Sequence, residues 1–264
     1  YSPGMAALAP PAAAGSAAAD GARPPSWLPL ESNPEVLNDF CRRLGLKDGT
    51  GFADVFGLDE ELLMMVPQPC FALCLLFPSK NISRPRRAEL RERAAAAGGV
   101  QCPEGLFFVQ QHDQIGNACG TIATVHALAN ASLAGHASLK DDCPLARFMA
   151  STQSMSCGDK GWELAKATDL QELSDQTAAA GETEGAGTDD AQDQHFICFI
   201  NFEGNLMELD GRTFDAEGVA FPFNHGATTP ETFLSDAAKV IREDFMARDP
   251  ENVNFNVTAL CKLD

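Results

Sequence analysis

Residues 110–130, QQHDQIGNACGTIATVHALAN, combine the start of a helix with a cysteine in its first turn. Asn117 is a favourable N-cap residue, and apolar residues follow it at the spacing of one helical face. Cys119 would then lie where unpaired backbone N–H groups and the helix dipole favour the thiolate, the nucleophilic form of cysteine. Gly120 leaves room beside it for a substrate backbone. We predict that Cys119 is a nucleophile; the alternative is a small apolar residue packed at a helix start.

The segments around this helix predict an α/β fold. Residues 71–77, FALCLLF, form an unbroken apolar run of the length expected for a strand buried on both faces. Residues 105–110, GLFFVQ, predict a strand that leads directly into the helix of Cys119. Capping residues and apolar periodicity predict a further strand at 52–56 and helices at 34–44, 59–66, 84–97, 145–151 and 162–176.

A predicted β-hairpin supplies a base for the cysteine. His195 begins the apolar strand HFICFINF, Glu203 and Gly204 form a two-residue turn, and LMELDGR follows. This turn places Asp210 opposite Ile197, on the same face as His195 and within reach of a hydrogen bond. A carboxylate on one ring nitrogen fixes the tautomer of a histidine and lets the other nitrogen take the thiol proton. We therefore predict His195 as the general base and Asp210 as its orienting group.

The other histidines are weaker candidates. His126 lies seven residues beyond Cys119. At ~1.5 Å rise per residue, that separation is about 10 Å, which is too far for direct transfer of the thiol proton. We expect His126 to be a core residue. His112, His136 and His225 lie in segments that resemble loops and receive no role.

Composition excludes several classes of protein. Nine cysteines are scattered from Cys41 to Cys261 without paired CxxC motifs, which favours free thiols in a reducing compartment over a zinc site or a disulfide framework. A net charge of −18 makes nucleic acid an unsuitable partner and favours a protein with a basic face. Apolar runs stay far below the ~20 residues of a membrane span. We expect a cytoplasmic monomer without a membrane segment, with the nucleus as an alternative location.

Two segments lack the large apolar side chains that a core requires. Residues 1–25 are rich in Ala, Pro and Gly, and we predict a disordered extension without the pattern of a signal or transit peptide. Residues 177–194, TAAAGETEGAGTDDAQDQ, are small and acidic and predict a mobile surface loop. Because this loop ends directly before His195, a lid over the site is favoured over a linker. The folded domain is predicted to span residues 26–264.

The blocks WLPLESNPEV, DVFGLDEELLMMVP, QIGNACGTIATVHALAN, the HF strand start, ELDGR and FPFNHG occur in order along the chain. Together they resemble the ubiquitin C-terminal hydrolase family, specifically its small L3-like members, over the region from Trp27 to about Leu260. The resemblance implies a papain-like cysteine peptidase fold, with a mostly antiparallel central sheet flanked by helices. It also implies a knotted chain, an exception to the rule that protein chains avoid knots.

By the same resemblance, Cys119 is the nucleophile, His195 the general base and then acid, and Asp210 the orienting group. The acidic segment 177–194 corresponds to the family's crossover loop, which limits the size of the leaving group. The resemblance implies a deubiquitinating cysteine hydrolase that removes small adducts or short peptides from the C-terminal glycine of ubiquitin. It implies no metal and no cofactor, and Nedd8 is a second modifier that some relatives accept.

The resemblance also implies a binding surface for ubiquitin. Glu31, Glu35 and Asp54 match acidic positions in segments that contact ubiquitin, although each is equally explained as a solvated carboxylate or a helix-start charge. A basic face of ubiquitin and a chain of charge −18 would attract each other electrostatically. We therefore expect these three residues to bind substrate.

One position departs from the family pattern. Members place a Gln six residues before the cysteine, where its amide joins a backbone N–H in holding the oxyanion, but Asp113 stands there in this chain. Losing one such donor can cost ~100-fold in turnover. If His112 and Asp113 are a two-residue insertion, Gln111 supplies the donor; Gln114 is the other candidate. We favour Gln111, and the alternative function is a catalytically impaired ubiquitin-binding module.

Overall fold

The structure is a computed structural model that describes residues 27–181 and 193–263. Within these residues, six strands form one sheet in which all paired neighbours are antiparallel. The strands are β1 (Thr50–Asp54), β2 (Cys70–Pro78), β3 (Gln194–Phe202), β4 (Asn205–Leu209), β5 (Phe223–Ala227) and β6 (Asn256–Lys262). Their spatial order is β1-β6-β2-β3-β4-β5. The prediction of a mostly antiparallel central sheet is confirmed.

Helices cover both faces of this sheet. They are α1 (Pro34–Leu44), α2 (Glu60–Leu63), α3 (Ser79–Ala96), α4 (Cys119–Leu133), α5 (Pro144–Thr152), α6 (Cys157–Lys166), α7 (Thr168–Ala180) and α8 (Phe233–Val240). The helix α4 packs on β2 and β3 beneath α1 and α5, so that every residue from Gly120 to Ala131 is buried. None of the helices in the described ranges is long and apolar enough to cross a membrane.

The two faces of the sheet support two separate cores, which explains the apolar run in β2. Ala72 and Cys74 enter the core that contains α4, whereas Leu73, Leu75 and Phe77 enter the core that contains α8. Successive side chains of a strand point to opposite faces of its sheet. A strand that is covered on both faces therefore does not alternate between apolar and polar residues. The prediction that residues 71–77 form such a strand is confirmed.

The predicted strand at residues 105–110 is wrong. Its apolar side chains are buried, but its backbone bonds to side chains of α4 instead of to another strand. The N–H of Phe107 donates to Oδ1 of Asn130, and the N–H of Val109 donates to Nε2 of His126, both at 2.9 Å. Because these helix side chains satisfy buried backbone donors, the segment needs no place in the sheet.

The single helix predicted at 162–176 is two helices, α6 and α7. The helix α6 begins earlier than predicted, because the side chain of Ser156 caps it by accepting a hydrogen bond from the N–H of Asp159. The chain then breaks at Ala167, whose ψ of 77° is not helical. The apolar periodicity predicted one continuous helix, but a local cap and a single non-helical residue divide the segment into two.

The predicted loop at 177–194 is shorter than expected at both ends. The helix α7 continues to Ala180, and β3 already begins at Gln194. Residues 182–192 lie outside the described part of the chain, as do residues 1–25 of the predicted extension. The mobility of the loop, its role as a lid, the disorder of the extension and the knotted path therefore stay predictions.

Candidate active site

The β3–β4 hairpin brings His195 and Asp210 together, as its turn predicted. Cys198 pairs with Leu209, which is the register of a two-residue turn. Nε2 of His195 lies 2.7 Å from Oδ1 of Asp210, and both side chains are buried. The predicted contact between the imidazole and the carboxylate is confirmed.

Cys119 is the first residue of α4, one position closer to the N-cap than predicted. Ala118 occupies the N-cap position instead of Asn117, so no side-chain oxygen at that position competes for the first backbone N–H groups of the helix. The thiol of Cys119 and the imidazole of His195 are close enough to shift each other's pKa. Since Nε2 of His195 faces Asp210, Nδ1 is the ring nitrogen left for the thiol.

The three side chains shift one another's protonation. Burial alone would raise the pKa of the Cys119 thiol, but the hydrogen bond and charge of His195, with the charge of Arg212, lower it. Burial would lower the pKa of His195, but the neighbouring Asp210 carboxylate raises it. Burial would also raise the pKa of Asp210, but Arg87 and His195 hold it well below its usual range. These shifts favour a thiolate beside an imidazolium, the reactive pair of a cysteine hydrolase.

The structure separates the three candidates for the oxyanion donor. Gln111 is buried; its backbone N–H donates to the carbonyl of Gly211 at 2.9 Å, and its Nε2 donates to the carbonyl of Gly116 at 3.1 Å. Asp113 and Gln114 lie in an exposed 3₁₀ turn. Gln111 is thus the candidate held between the hairpin and the loop that precedes α4, and its catalytic role stays a prediction.

Gly211 allows this close approach. A Cβ atom at Gly211 would lie 2.8 Å from the carbonyl oxygen of Val109 and 2.9 Å from the backbone nitrogen of Gln111. Only glycine fits such a contact without displacing the backbone. The glycine of the ELDGR block therefore joins the turn that carries Asp210 to the segment that carries Gln111.

Asp210 has partners that the sequence analysis missed. Its Oδ1 also accepts the backbone N–H of Arg212 at 2.9 Å. Its Oδ2 accepts Nε of Arg87 at 2.9 Å and Oγ1 of Thr213 at 3.0 Å. Thr213 follows Asp210 by three residues, a separation at which short polar side chains often bond locally, so this contact had a sequence signal. Arg87 lies in a charged helix far from Asp210 in the sequence, and no sequence signal indicated that the two residues are in contact.

A second buried group of charges lies beside this pair. Both Nη atoms of Arg86 donate to the carboxylate of Glu208, at 2.5 and 2.6 Å, and Nε2 of His225 lies 2.8 Å from the same carboxylate. Burial would raise the pKa of Glu208, but Arg86 and His225 lower it to about 2. Consecutive arginines of α3, Arg86 and Arg87, therefore bind two carboxylates, Glu208 and Asp210, that are two residues apart.

The remaining histidine prediction is confirmed, because His126 is a core residue. It is fully buried, and its Nε2 accepts the backbone N–H of Val109. Burial lowers the pKa of His126 to about 4, so the ring is neutral at physiological pH. His112, which received no role, stacks on Trp162 with ring centroids 3.8 Å apart.

The three predicted substrate-binding carboxylates lie at or close to the protein surface. Glu35 is exposed in the first turn of α1, and Asp54 is exposed at the end of β1. Glu31 is partly buried, with its carboxylate next to Gly181 at the end of α7. Their roles in binding stay predictions. Among the described residues, no group of three or more His, Cys, Asp or Glu side chains could hold a metal ion.

Comparisons with known proteins agree with this geometry. A family model described as "Ubiquitin carboxyl-terminal hydrolase, family 1" matches residues 27–247. The ubiquitin carboxyl-terminal hydrolase of Drosophila melanogaster is 40% identical over 237 residues, covering 89% of this chain and 97% of the relative. Human ubiquitin carboxyl-terminal hydrolase isozyme L1 is 39% identical over 238 residues, with coverages of 89% and 97%.

Among solved structures, the fold resembles the catalytic domain of Trichinella spiralis UCH37 bound to ubiquitin vinyl methyl ester. The TM-score is 0.67 at 19% identity, and the match covers 92% of this chain and 98% of that domain. At this identity the likeness bears on the fold, and it confirms the fold class that the sequence predicted.

Proposed function

The chain belongs to ubiquitin carboxyl-terminal hydrolase family 1 and is a cysteine-type ubiquitin hydrolase, and from this premise we propose that Cys119, His195 and Asp210 perform its reaction. The observation that carries the proposal is the 2.7 Å contact between Nε2 of His195 and Oδ1 of Asp210, which leaves the other ring nitrogen for the thiol. The lowered pKa of Cys119 supports the same assignment.

The reaction follows from the protonation of these groups. The Cys119 thiolate attacks the carbonyl carbon of the C-terminal glycine of ubiquitin and forms a tetrahedral intermediate. The imidazolium of His195 donates its proton to the leaving amine or thiol, and the acyl-enzyme remains. A water molecule then loses a proton to His195 and attacks the acyl carbon, which releases the ubiquitin carboxylate and restores the cysteine. Asp210 keeps the ring oriented throughout.

We propose that Gln111 and the backbone N–H of Cys119 stabilise the oxyanion of each tetrahedral intermediate. An amide NH₂ group has two donors, and only one of those of Gln111 is needed for its bond to Gly116. The buried position of Gln111 against the hairpin supports this role, because a fixed donor stabilises developing charge without reorganisation. The exposed position of Asp113 supports its assignment to an insertion.

We propose that ubiquitin docks on the acidic surface that includes Glu31, Glu35 and Asp54. The segment that follows Asp54 also exposes large apolar side chains, since Phe56 is 70% exposed and Met64 is 74% exposed. Contiguous exposed apolar patches mark interaction surfaces in soluble proteins, and Met65, 63% exposed, extends the apolar stretch at Met64. Charge attraction would steer a basic partner to this face, and the apolar residues would then contact it.

We further propose that the leaving groups are small adducts or short peptides, with Nedd8 as a second modifier. The protein would act as a monomer in the cytoplasm, with the nucleus as an alternative location. All nine cysteines are free in the structure, which fits a reducing compartment.

The test is hydrolysis of a ubiquitin C-terminal fluorogenic amide, with binding of ubiquitin followed in parallel. Turnover by the wild type that is lost in Cys119→Ala while binding persists would support the proposal. Cys102→Ala is the matched control, because Cys102 is exposed at the surface but the partial desolvation of its thiol raises the pKa to about 11, so it should not react. Binding without turnover in the wild type would contradict the proposed reaction.

A further inference from the structure

The second oxygen of the Asp210 carboxylate is bound from outside the catalytic hairpin, by a helix that the proposed mechanism does not use. We propose that Arg87 is a positioning residue for the reaction: it fixes the carboxylate of Asp210 and limits how strongly that carboxylate holds the proton of His195. This inference rests on the proposed function of the three catalytic residues and adds a fourth residue that acts through them.

The two oxygens of the carboxylate contact two different ionisable side chains. Oδ1 of Asp210 faces Nε2 of His195 at 2.7 Å, and Oδ2 faces Nε of Arg87 at 2.9 Å. A carboxylate held at both oxygens cannot rotate away from the imidazole without breaking a charge-assisted hydrogen bond. Arg87 therefore fixes the direction of the bond that orients His195.

The helix that carries Arg87 is itself anchored on both sides of this contact. Arg86 forms two hydrogen bonds with the buried Glu208, and Nε of Arg91 donates to the carbonyl of Phe214 at 2.8 Å. The position of Arg87 is thus set by α3 and its contacts with the sheet. A group on a fixed helix holds a catalytic side chain more precisely than a group on a loop.

The contact with Asp210 gives the partly buried side chain of Arg87, which is 21% exposed, an ion-pair partner. Its Nη2 is buried without a hydrogen-bond partner among the residues that the structure describes. An unsatisfied buried donor is unfavourable, so the single bond from Nε must offset this cost. Because only one donor is used, a lysine at the same position could replace the charge and the hydrogen bond.

Arg87 also changes the charge balance around the imidazole. The charged or titratable groups with the largest effects on the pKa of His195 are Asp210, Cys119 and Arg87, while β2 contributes the uncharged ring of Phe77, edge-on at 5.7 Å between centroids. Burial lowers the pKa of His195. The contacts with Asp210 and Cys119 raise this pKa, whereas the charge of Arg87 lowers it. Without Arg87, the imidazolium would persist to higher pH and would release its proton less readily.

Thr213 provides an internal comparison for this effect. Its hydroxyl donates to the same Oδ2 of Asp210, at 3.0 Å, but carries no charge. Removing Thr213 should loosen the carboxylate without changing the electrostatics of His195. Removing the charge of Arg87 should do both.

The experiment measures kcat, KM and the pH profile of kcat/KM with a ubiquitin C-terminal fluorogenic amide. In Arg87→Gln we expect kcat to fall about tenfold, as for loss of one charge-assisted hydrogen bond, with KM unchanged. The alkaline limb should move to higher pH, because the imidazolium loses its proton later. In Arg87→Lys the limb should stay at the wild-type pH, and in Thr213→Val kcat should fall severalfold without a shift of the limb.

Arg84→Gln is the matched control, because Arg84 is exposed on the same helix and the change in net charge is identical. It should behave as wild type. A folded Arg87→Gln with wild-type kcat and an unshifted limb would overturn the inference while leaving the proposed function intact. If Arg87→Gln does not fold, an unchanged kcat in Thr213→Val overturns the anchoring of Oδ2. An inactive wild type would instead contradict the proposed function itself.

Discussion

The backbone N–H of Gln111 donates to the carbonyl of Gly211 at 2.9 Å, and this bond joins the segment that precedes α4 to the turn that follows β4. One segment carries the proposed oxyanion donor, and the other follows directly on Asp210. The position of the amide of Gln111 and the position of the Asp210 carboxylate therefore depend on the same contact.

A larger residue at this contact should damage both stability and turnover. In Gly211→Ala the new Cβ would lie under 3 Å from the backbone of Val109 and Gln111, so one segment must move. We expect a loss of about 1–3 kcal/mol in the free energy of unfolding, as for other overpacked sites, together with a lower kcat. Chemical denaturation and the fluorogenic assay measure the two effects.

Gly158→Ala is the control for this change, because the nearest atom to a Cβ at Gly158 is 3.6 Å away, an ordinary contact distance. Since alanine favours a helix over glycine, this variant should be neutral or slightly more stable. Equal stability of the two variants would contradict the close approach at Gly211.

The oxyanion donor can be identified by comparing neighbouring glutamines. We expect Gln111→Ala to lower kcat about 100-fold with little effect on KM, because the lost donor acts mainly on the tetrahedral intermediate. Gln114→Ala makes the same chemical change on an exposed turn and should keep nearly full activity. Asp113→Ala should also be active if Asp113 belongs to an insertion. A larger loss of kcat in Gln114→Ala than in Gln111→Ala would show that the assignment is wrong.

The orienting role of Asp210 can be tested by replacing its carboxylate with an amide. Asp210→Asn keeps the shape of the side chain but presents an amide to His195, which favours the wrong tautomer. We expect kcat to fall about 100-fold or more in the fluorogenic assay. Asp142→Asn, at a side chain that is 86% exposed, is the control and should retain wild-type kcat. Full activity of Asp210→Asn would exclude the proposed orienting role.

The contact between His195 and Asp210 could be predicted because it is local. A two-residue turn fixes the register of a hairpin, and the alternation of side chains along each strand then places both residues on one face. The thiol at the start of α4 was also predictable, because apolar spacing marks where a helix begins. In both cases the information lies within a few residues of the site.

Other contacts could not be predicted, because their partners are far apart in the sequence. Arg87 and Asp210 are separated by 123 residues, and nothing in the charged segment around Arg87 marks it as partly buried. The segment 105–110 has the composition of a strand, but its backbone bonds to Asn130 and His126 on a helix. Local pattern shows that such residues will be buried, and only the tertiary fold determines what they bind.

The neutral imidazole of His126 should make stability depend on pH below neutrality. Its pKa is lowered from 6.5 to about 4 by burial, so between these values unfolding requires the uptake of a proton. Stability therefore falls as pH drops from about 6.5 to about 4, by at most about 3 kcal/mol from this residue at roughly 1.4 kcal/mol per pKa unit.

His126→Gln keeps an acceptor for the N–H of Val109 but does not titrate. Urea denaturation across this pH range should show a smaller pH-dependent loss in His126→Gln than in the wild type, whereas His136→Gln, at an exposed histidine, should follow the wild type. Parallel curves for His126→Gln and the wild type would show that His126 is not held neutral in the core.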